Sequence, residues 1–98
     1  MSDPTNEEPR RLRAIVYGRV QGVNFRSATQ QTAAQLGLTG FVLNRPDGAV
    51  EAVAEGAPHA LQAFERFLHR GPRVAEVERV ELHYSAATGE FRSFNIRW

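Results

Sequence analysis

The chain has 98 residues, of which 42% are hydrophobic and 23% charged, and its formal net charge is +1. This composition is typical of one small soluble globular domain, and no apolar run approaches the roughly 20 residues that a membrane-spanning helix needs. The absence of cysteine excludes disulfide bonds, thiolate nucleophiles and zinc–thiolate sites. We therefore expect a cytoplasmic protein that does not bind a membrane.

The first residues of the chain are polar and acidic and contain proline, without the apolar core of a signal peptide. We expect residues 1–9 to form a disordered N-terminal leader. Residues 10–98 are then the folded domain.

The first predicted strand covers residues 12–17, where alternating apolar side chains give one buried face. A loop with two glycines follows at residues 18–24, and apolar residues at helical spacing then run from Phe25 to a terminating Gly37. The glycines allow a tight turn with inward-facing N–H groups, and the helix presents its positive end at the same place. Arg26 adds a forked cation that suits a phosphate. These residues predict a phosphate or carboxylate site.

The rest of the chain predicts a hairpin, a helix and two more strands. Residues 40–44 form the second strand, and the turn-forming residues directly after it lead into the third. An apolar stripe over residues 58–70 predicts the second helix, which Gly71 and Pro72 end. Alternation at residues 79–84 and 94–98 predicts the last two strands.

The order of these elements is βαββαβ plus a short terminal strand. Two helices at these places cover one face of one sheet, and right-handed crossovers favour a ferredoxin-like arrangement. We therefore predict an α+β sandwich with a mixed or antiparallel sheet.

Charge is unevenly placed along the chain. Residues 9–46 contain six arginines and no acid, whereas residues 47–98 contain six arginines and eight acids. The positive half carries the glycine loop, so its field would steer small anions toward that loop. Chance placement of charge on a solvated face is the alternative interpretation.

Two stretches resemble the two signatures of the acylphosphatase family. They are VYGRVQGVNFR at residues 16–26 and GFVLNRPDGAVE at residues 40–51. A lone glycine loop would be weak evidence for the family, but the two signatures together are specific for it. The resemblance extends over roughly residues 10–98. It implies the ferredoxin-like fold and the hydrolysis of acyl phosphates to a carboxylate and inorganic phosphate, without metal or cofactor.

The resemblance also implies the site residues. Arg26 and the loop amides would hold the phosphoryl group, and Asn44 would orient the attacking water, which makes Arg26 and Asn44 the expected catalytic residues. The expected phosphate-binding residues are Arg19, Val20, Gln21, Gly22, Val23, Asn24, Phe25 and Arg26. Considered alone, Asn44 would be a turn cap and Arg26 a salt-bridge partner of some distant acid.

Two residues depart from the commonest family pattern. Phe41 stands where the second signature usually has tryptophan, and we expect this aromatic ring to fill the same core position. Asn24 stands at a variable loop position, where it would affect access to the acyl side of the substrate.

The motifs contain no obvious general acid. His59, His69 and His83 lie outside both signatures and are expected at the surface. A site without an acid or a metal cannot easily expel an alkoxide, but it can expel a carboxylate. This favours mixed anhydrides over phosphate esters, whose spontaneous hydrolysis is very slow. The missing base suggests that the water proton passes to a phosphate oxygen of the substrate.

The expected partners are a small-molecule acyl phosphate and inorganic phosphate or sulfate as a product-like ligand. We expect a monomer that binds no nucleic acid. The alternative is a non-catalytic ferredoxin-like module that binds an anion or RNA, and RNA binding would need exposed aromatic residues on the central strands. A further alternative is the acylphosphatase-like domain of a larger carbamoyl-transferring protein.

Overall fold

A computed structural model describes residues 8–98. Its elements, in chain order, are β1 (Arg10–Arg19), α1 (Phe25–Gln35), β2 (Thr39–Asn44), β3 (Val50–Gly56), α2 (Pro58–Arg70), β4 (Glu76–Ala86) and β5 (Phe94–Arg97). The leader expected at residues 1–9 falls almost wholly outside the described residues and stays a prediction. Within residues 8–98, no helix has the length and hydropathy to cross a membrane.

The five strands form one mixed sheet in the order β4-β1-β3-β2-β5. β1 is antiparallel to both β3 and β4, β2 is antiparallel to β3, and β5 runs parallel to β2 at the sheet edge. Both helices pack against this sheet. The predicted α+β ferredoxin-like fold is confirmed, and the sheet is mixed because β5 joins it in parallel.

The core lies between the sheet and the helices. Its largest fully buried side chains include Leu12, Val16, Val42, Val50, Leu61, Phe64 and Leu68. The predicted helix ends are confirmed: the Gly37 N–H donates to the carbonyl of Ala34 at 3.1 Å, and the Gly71 N–H donates to that of Phe67 at 2.6 Å. This core fixes the ends of β1, β2 and β5 relative to α1.

Strands β1, β4 and β5 differ from their predicted lengths. β1 and β4 extend beyond residues 12–17 and 79–84, because they pair with each other over residues whose side chains show no alternating burial. β5 ends at Arg97, the last residue that pairs with β2, so the prediction that this strand includes Trp98 is wrong.

Phe41 is not a core residue, which corrects the expectation for this position. Its neighbour Val42 faces the helices and is fully buried, so Phe41 faces the helix-free side of the sheet and is only half-buried. There its ring makes an edge contact with Phe91, with the centroids 5.8 Å apart, and the Arg97 guanidinium lies 3.7 Å from its centroid. Phe41 therefore holds the side chain of Arg97 on the open face.

Candidate active site

The glycine loop connects β1 to α1 through two residues in the left-handed region. Gly22 has φ 75° and Asn24, the N-cap residue of α1, has φ 65°. A Cβ at Gly22 would meet nothing within 4 Å, so the backbone conformation and not space favours glycine there. Asparagine tolerates this region better than most residues. The Asn24 side chain makes no capping hydrogen bond and stays exposed.

The amides of this loop have no protein partner. Within the described part of the chain, the N–H groups of residues 20–24 donate to no protein acceptor. The first amides of α1 follow them, and such amides lack an intrahelical partner in any helix. The first turn of α1 carries no acidic residue. Unpaired amides at the positive end of a helix are a binding site for an anion.

Arg26 and Asn44, which are far apart in the sequence, line one pocket of about 180 Å³. The loop and α1 form one wall, the end of β2 a second, and the end of β5 a third. The lining residues are Val20, Gly22, Asn24, Phe25, Arg26, Ser27, Asn44, Ile96 and Trp98.

Arg26 is held by β5 and not by an acid. Its Nη1 donates to the carbonyl of Arg97 at 3.4 Å, and its guanidinium lies 4.2 Å from the ring centroid of Trp98. No carboxylate pairs with Arg26 among residues 8–98, so the distant salt bridge that was the alternative for this residue is not found there. A cation at the start of a helix is unfavourable by itself, and a bound anion would offset that cost.

Asn44 is the last residue of β2, and another residue caps the turn that follows it. The Arg45 N–H donates to the Ala49 carbonyl at 2.8 Å, and Asp47 Oδ1 accepts the Ala49 N–H at 3.0 Å. The Asn44 side chain makes no hydrogen bond within the described residues. The turn-cap alternative for Asn44 is therefore wrong, and its carboxamide is available to the pocket.

Arg45 is neutralised by its neighbours. Its Nη2 lies 2.9 Å from Asp47 Oδ2, and its Nη1 lies 3.5 Å from Glu51 Oε1. The hydrogen bond from the Ala49 N–H, together with that from Arg45, holds the pKa of Asp47 below its usual range. Asp47 therefore stays ionised, and Arg45 adds little free charge to the pocket.

Gln21 ties the loop to the hairpin, a contact that the sequence did not indicate. Its Nε2 donates to the carbonyls of Arg45 at 2.8 Å and Ala49 at 2.9 Å. These two carbonyls flank the turn that begins at Asn44. The Gln21 side chain therefore sets the distance between the loop and Asn44.

The structure separates the eight expected phosphate-binding residues into two groups. Five of them line the pocket, whereas Arg19, Gln21 and Val23 do not. Arg19 is 74% exposed and lies 4.0 Å from Glu76. The lining also contains three residues that the sequence did not single out for the site, namely Ser27, Ile96 and Trp98. The three histidines are exposed, as expected.

Within residues 8–98, arginine side chains cover the aromatic rings on the open face of the sheet, which are the rings that RNA binding would use. The Arg79 guanidinium lies 4.0 Å from the Tyr17 ring centroid, and that of Arg97 covers Phe41 in the same way. Both rings are half-buried. Among the described residues, the aromatic side chains of the central strands are therefore already stacked by arginine.

Comparison with known proteins gives a consistent result. The acylphosphatase family model matches residues 12–96. A relative from Thermus thermophilus named acylphosphatase is 51% identical over 86 residues, which are 88% of this chain and 97% of the relative. One of the same name from Rubrobacter xylanophilus is 47% identical over 90 residues, 92% of this chain and 82% of the relative. The crystal structure of acylphosphatase from Bacillus subtilis superposes with a TM-score of 0.88 at 38% identity, over 91% of this chain and 99% of that one.

Proposed function

Because this chain belongs to the acylphosphatase family of enzymes, we propose that it hydrolyses the carboxyl–phosphate bond of acyl phosphates to a carboxylate and inorganic phosphate. The observation that carries the proposal is the shared pocket of Arg26 and Asn44, beside loop amides that have no protein partner in the described chain.

The loop and Arg26 bind the phosphoryl group. Its negative charge is spread over three oxygens, so fixed donors around those oxygens supply most of the catalysis that phosphoryl transfer requires. The amides of the pocket-lining loop residues Val20, Gly22 and Asn24 are such donors, since they are part of the backbone and cannot reorient freely. Arg26 adds a planar fork of N–H groups that matches two phosphate oxygens.

Asn44 orients the water that attacks phosphorus. A carboxamide does not titrate, so it acts through geometry: its oxygen accepts a hydrogen bond from the water, and its N–H groups donate. The water oxygen forms a bond to phosphorus, the bond from phosphorus to the acyl oxygen breaks, and its electron pair leaves with the carboxylate. The water proton passes to a phosphate oxygen.

The pocket lining limits the substrate to good leaving groups. The lining residues include no Asp, Glu, His, Lys or Tyr that would protonate a departing oxygen. A carboxylate needs no such proton near neutral pH, whereas an alkoxide does. The pH–rate profile should then show no steep limb from a protein group near neutrality, and such a limb would contradict proton transfer to the substrate.

Hydrolysis of benzoyl phosphate in ¹⁸O-labelled water tests this function. Attack at phosphorus places the label in inorganic phosphate and leaves benzoate unlabelled. Arg66→Ala, which removes an exposed arginine of α2 outside the pocket, should turn over like the wild type. Label in benzoate would show attack at the carbonyl carbon and overturn the mechanism. Failure of the wild type to hydrolyse the substrate would overturn the function.

A further inference from the structure

Trp98 is the single tryptophan of the chain, and it lies at the pocket although it is 93% exposed. So large an apolar side chain in solvent contributes nothing to the core. Its described contact is with Arg26, whose guanidinium lies 4.2 Å from the ring centroid. The position of Trp98 therefore concerns Arg26 rather than the stability of the fold.

The register of the sheet places Trp98 beside the catalytic end of β2. β5 runs parallel to β2, and Leu43 pairs with Arg97 in the last step of the ladder. The residues that follow this pair are Asn44 and Trp98. Both residues therefore leave the same end of neighbouring strands and line the same pocket.

Alternation along β5 sends its side chains to two different faces. The Arg97 side chain stacks on Phe41 on the open face. Ile96 packs against the core, and both Ile96 and Trp98 line the pocket on the helix side. The anchoring of Arg97 on Phe41 thus fixes the strand end from which the indole projects.

Two hydrogen bonds tie α1 to this strand. Gln30 Nε2 donates to the Phe94 carbonyl at 3.2 Å, and Arg26 Nη1 donates to the Arg97 carbonyl at 3.4 Å. The Arg26 guanidinium is therefore held by one long hydrogen bond and one ring face. Neither contact is a carboxylate, which would occupy the forked N–H groups that a phosphate needs.

We propose that Trp98 is a positioning residue that holds the Arg26 guanidinium flat against its indole ring. Stacking uses the face of the guanidinium and leaves its N–H edge free for the phosphoryl oxygens. It also restricts a long side chain that would otherwise lose rotamer freedom on binding. The proposal rests on the proposed function for the identity of the bound anion.

Substitution of Trp98 and calorimetric titration with inorganic phosphate test the proposal. Trp98→Ala should raise the Kd for phosphate about two- to fivefold, the factor that an exposed cation–π contact supports. Trp98→Phe should restore most of the loss, because it keeps a ring face. Tyr84→Ala, which removes an exposed aromatic residue outside the pocket, should bind phosphate like the wild type. A wild-type Kd in Trp98→Ala would overturn the proposal.

Substrates of different size separate positioning from contact with the acyl group. Positioning predicts that Trp98→Ala raises the KM for acetyl phosphate and benzoyl phosphate by the same factor as the Kd for phosphate. A loss confined to benzoyl phosphate, with the phosphate Kd unchanged, would mean that the indole binds the acyl group and would overturn positioning.

The fluorescence of the single tryptophan reads the contact directly. Without phosphate, Arg26→Ala should change the emission of Trp98 relative to the wild type, because the guanidinium no longer lies over the indole ring. Identical emission of wild type and Arg26→Ala without phosphate would overturn the contact. These measurements need no turnover. A wild type that is inactive but binds phosphate, with weaker binding in Trp98→Ala, would refute the proposed hydrolysis and still support the role of Trp98. A wild type that binds no phosphate would overturn both.

Discussion

The side-chain amide of Gln21 donates a 2.8 Å hydrogen bond to the backbone carbonyl of Arg45, the residue directly after Asn44. A second bond from the same nitrogen reaches the Ala49 carbonyl at 2.9 Å. The loop that we propose to bind phosphate and the hairpin that carries Asn44 belong to different parts of the chain. The two hydrogen bonds join the loop to the hairpin, so the distance between the loop and Asn44 depends on Gln21.

Substitution of Gln21 should lower kcat strongly and the free energy of unfolding only slightly. Gln21→Ala removes two hydrogen bonds worth about 1 kcal/mol each, so the free energy of unfolding should fall by about 1–2 kcal/mol. A displacement of Asn44 by a fraction of an ångström should lower kcat about tenfold or more. Denaturant unfolding and benzoyl phosphate kinetics measure the two effects. Gln31→Ala, at an exposed position of α1, is the control, and wild-type kcat in Gln21→Ala would refute the positioning role.

Alanine at Gly22 should weaken phosphate binding through the backbone alone. A Cβ at this position meets nothing within 4 Å, but φ 75° is strained for alanine and costs about 1–2 kcal/mol. Relief of that strain would move the neighbouring loop amides. Gly89 has φ 74° and equally open space, outside the pocket, so Gly89→Ala should cost similar stability. Equal phosphate Kd values for both variants, measured by calorimetry, would contradict the role of the loop amides.

Glu55 holds the connection between β4 and β5 to the sheet. It is 5% exposed and accepts hydrogen bonds from the Thr88 N–H at 2.9 Å and the Gly89 N–H at 2.9 Å. Arg11 Nη1 lies 3.1 Å from Oε2 of the same carboxylate. Burial by itself would raise the pKa of Glu55, but the hydrogen bonds from Thr88, Gly89 and Arg11 outweigh it and lower the pKa below 4.5.

The depressed pKa of Glu55 predicts a loss of stability in acid. Its contribution is complete above the unfolded pKa near 4.5 and is lost as the pH falls through the lower folded pKa. Glu55→Gln should lower the free energy of unfolding at pH 7 by about 1–3 kcal/mol and flatten the decline below pH 4.5, because amide and guanidinium donors lose their charged acceptor.

Denaturant unfolding at several pH values measures this effect. Glu78→Gln, at an exposed position without a described partner, should follow the wild-type curve. Since Glu55 lies outside the pocket, kcat at pH 7 should not change. A Glu55→Gln protein as stable as the wild type at pH 7 would show that the carboxylate does not hold the connection.

Periodicity along the chain predicted most of the fold. The alternation at residues 12–17 indicates a buried strand, and the glycines at 37 and 71 indicate two helix ends. These features depend on the burial pattern and backbone conformation of neighbouring residues. Trp98 shows the limit of this reasoning, because its alternation with Phe94 and Ile96 gave the correct face but not the strand end. That end is set by the pairing with β2, which stops at Leu43 and Arg97 and is a tertiary property.

The site was less predictable than the fold. Resemblance supplied Asn44 and the catalytic roles, whereas the pattern of residues alone indicated only an anion site formed by the glycine loop and Arg26. Gln21 was expected at the phosphate loop, but its side-chain bridge to the hairpin was not predicted, because its partners are backbone carbonyls that carry no sequence signal. Phe41 was misplaced for a similar reason, since an aromatic residue in a strand packs well on either face and the family pattern does not say which one.

The central claim is that Arg26 binds the phosphoryl group and Asn44 acts only on the water, so the two alanine variants should fail differently. The most direct measurement is the phosphate affinity of each variant. Inhibition of benzoyl phosphate hydrolysis by inorganic phosphate gives this affinity, and calorimetry gives it for variants without turnover. We expect Arg26→Ala to lose both phosphate binding and turnover, with Arg26→Lys also strongly impaired because a point charge cannot replace the fork. Asn44→Ala should lose turnover and bind phosphate like the wild type. A near-wild-type kcat in Asn44→Ala, or unchanged phosphate affinity in Arg26→Ala, would contradict the account.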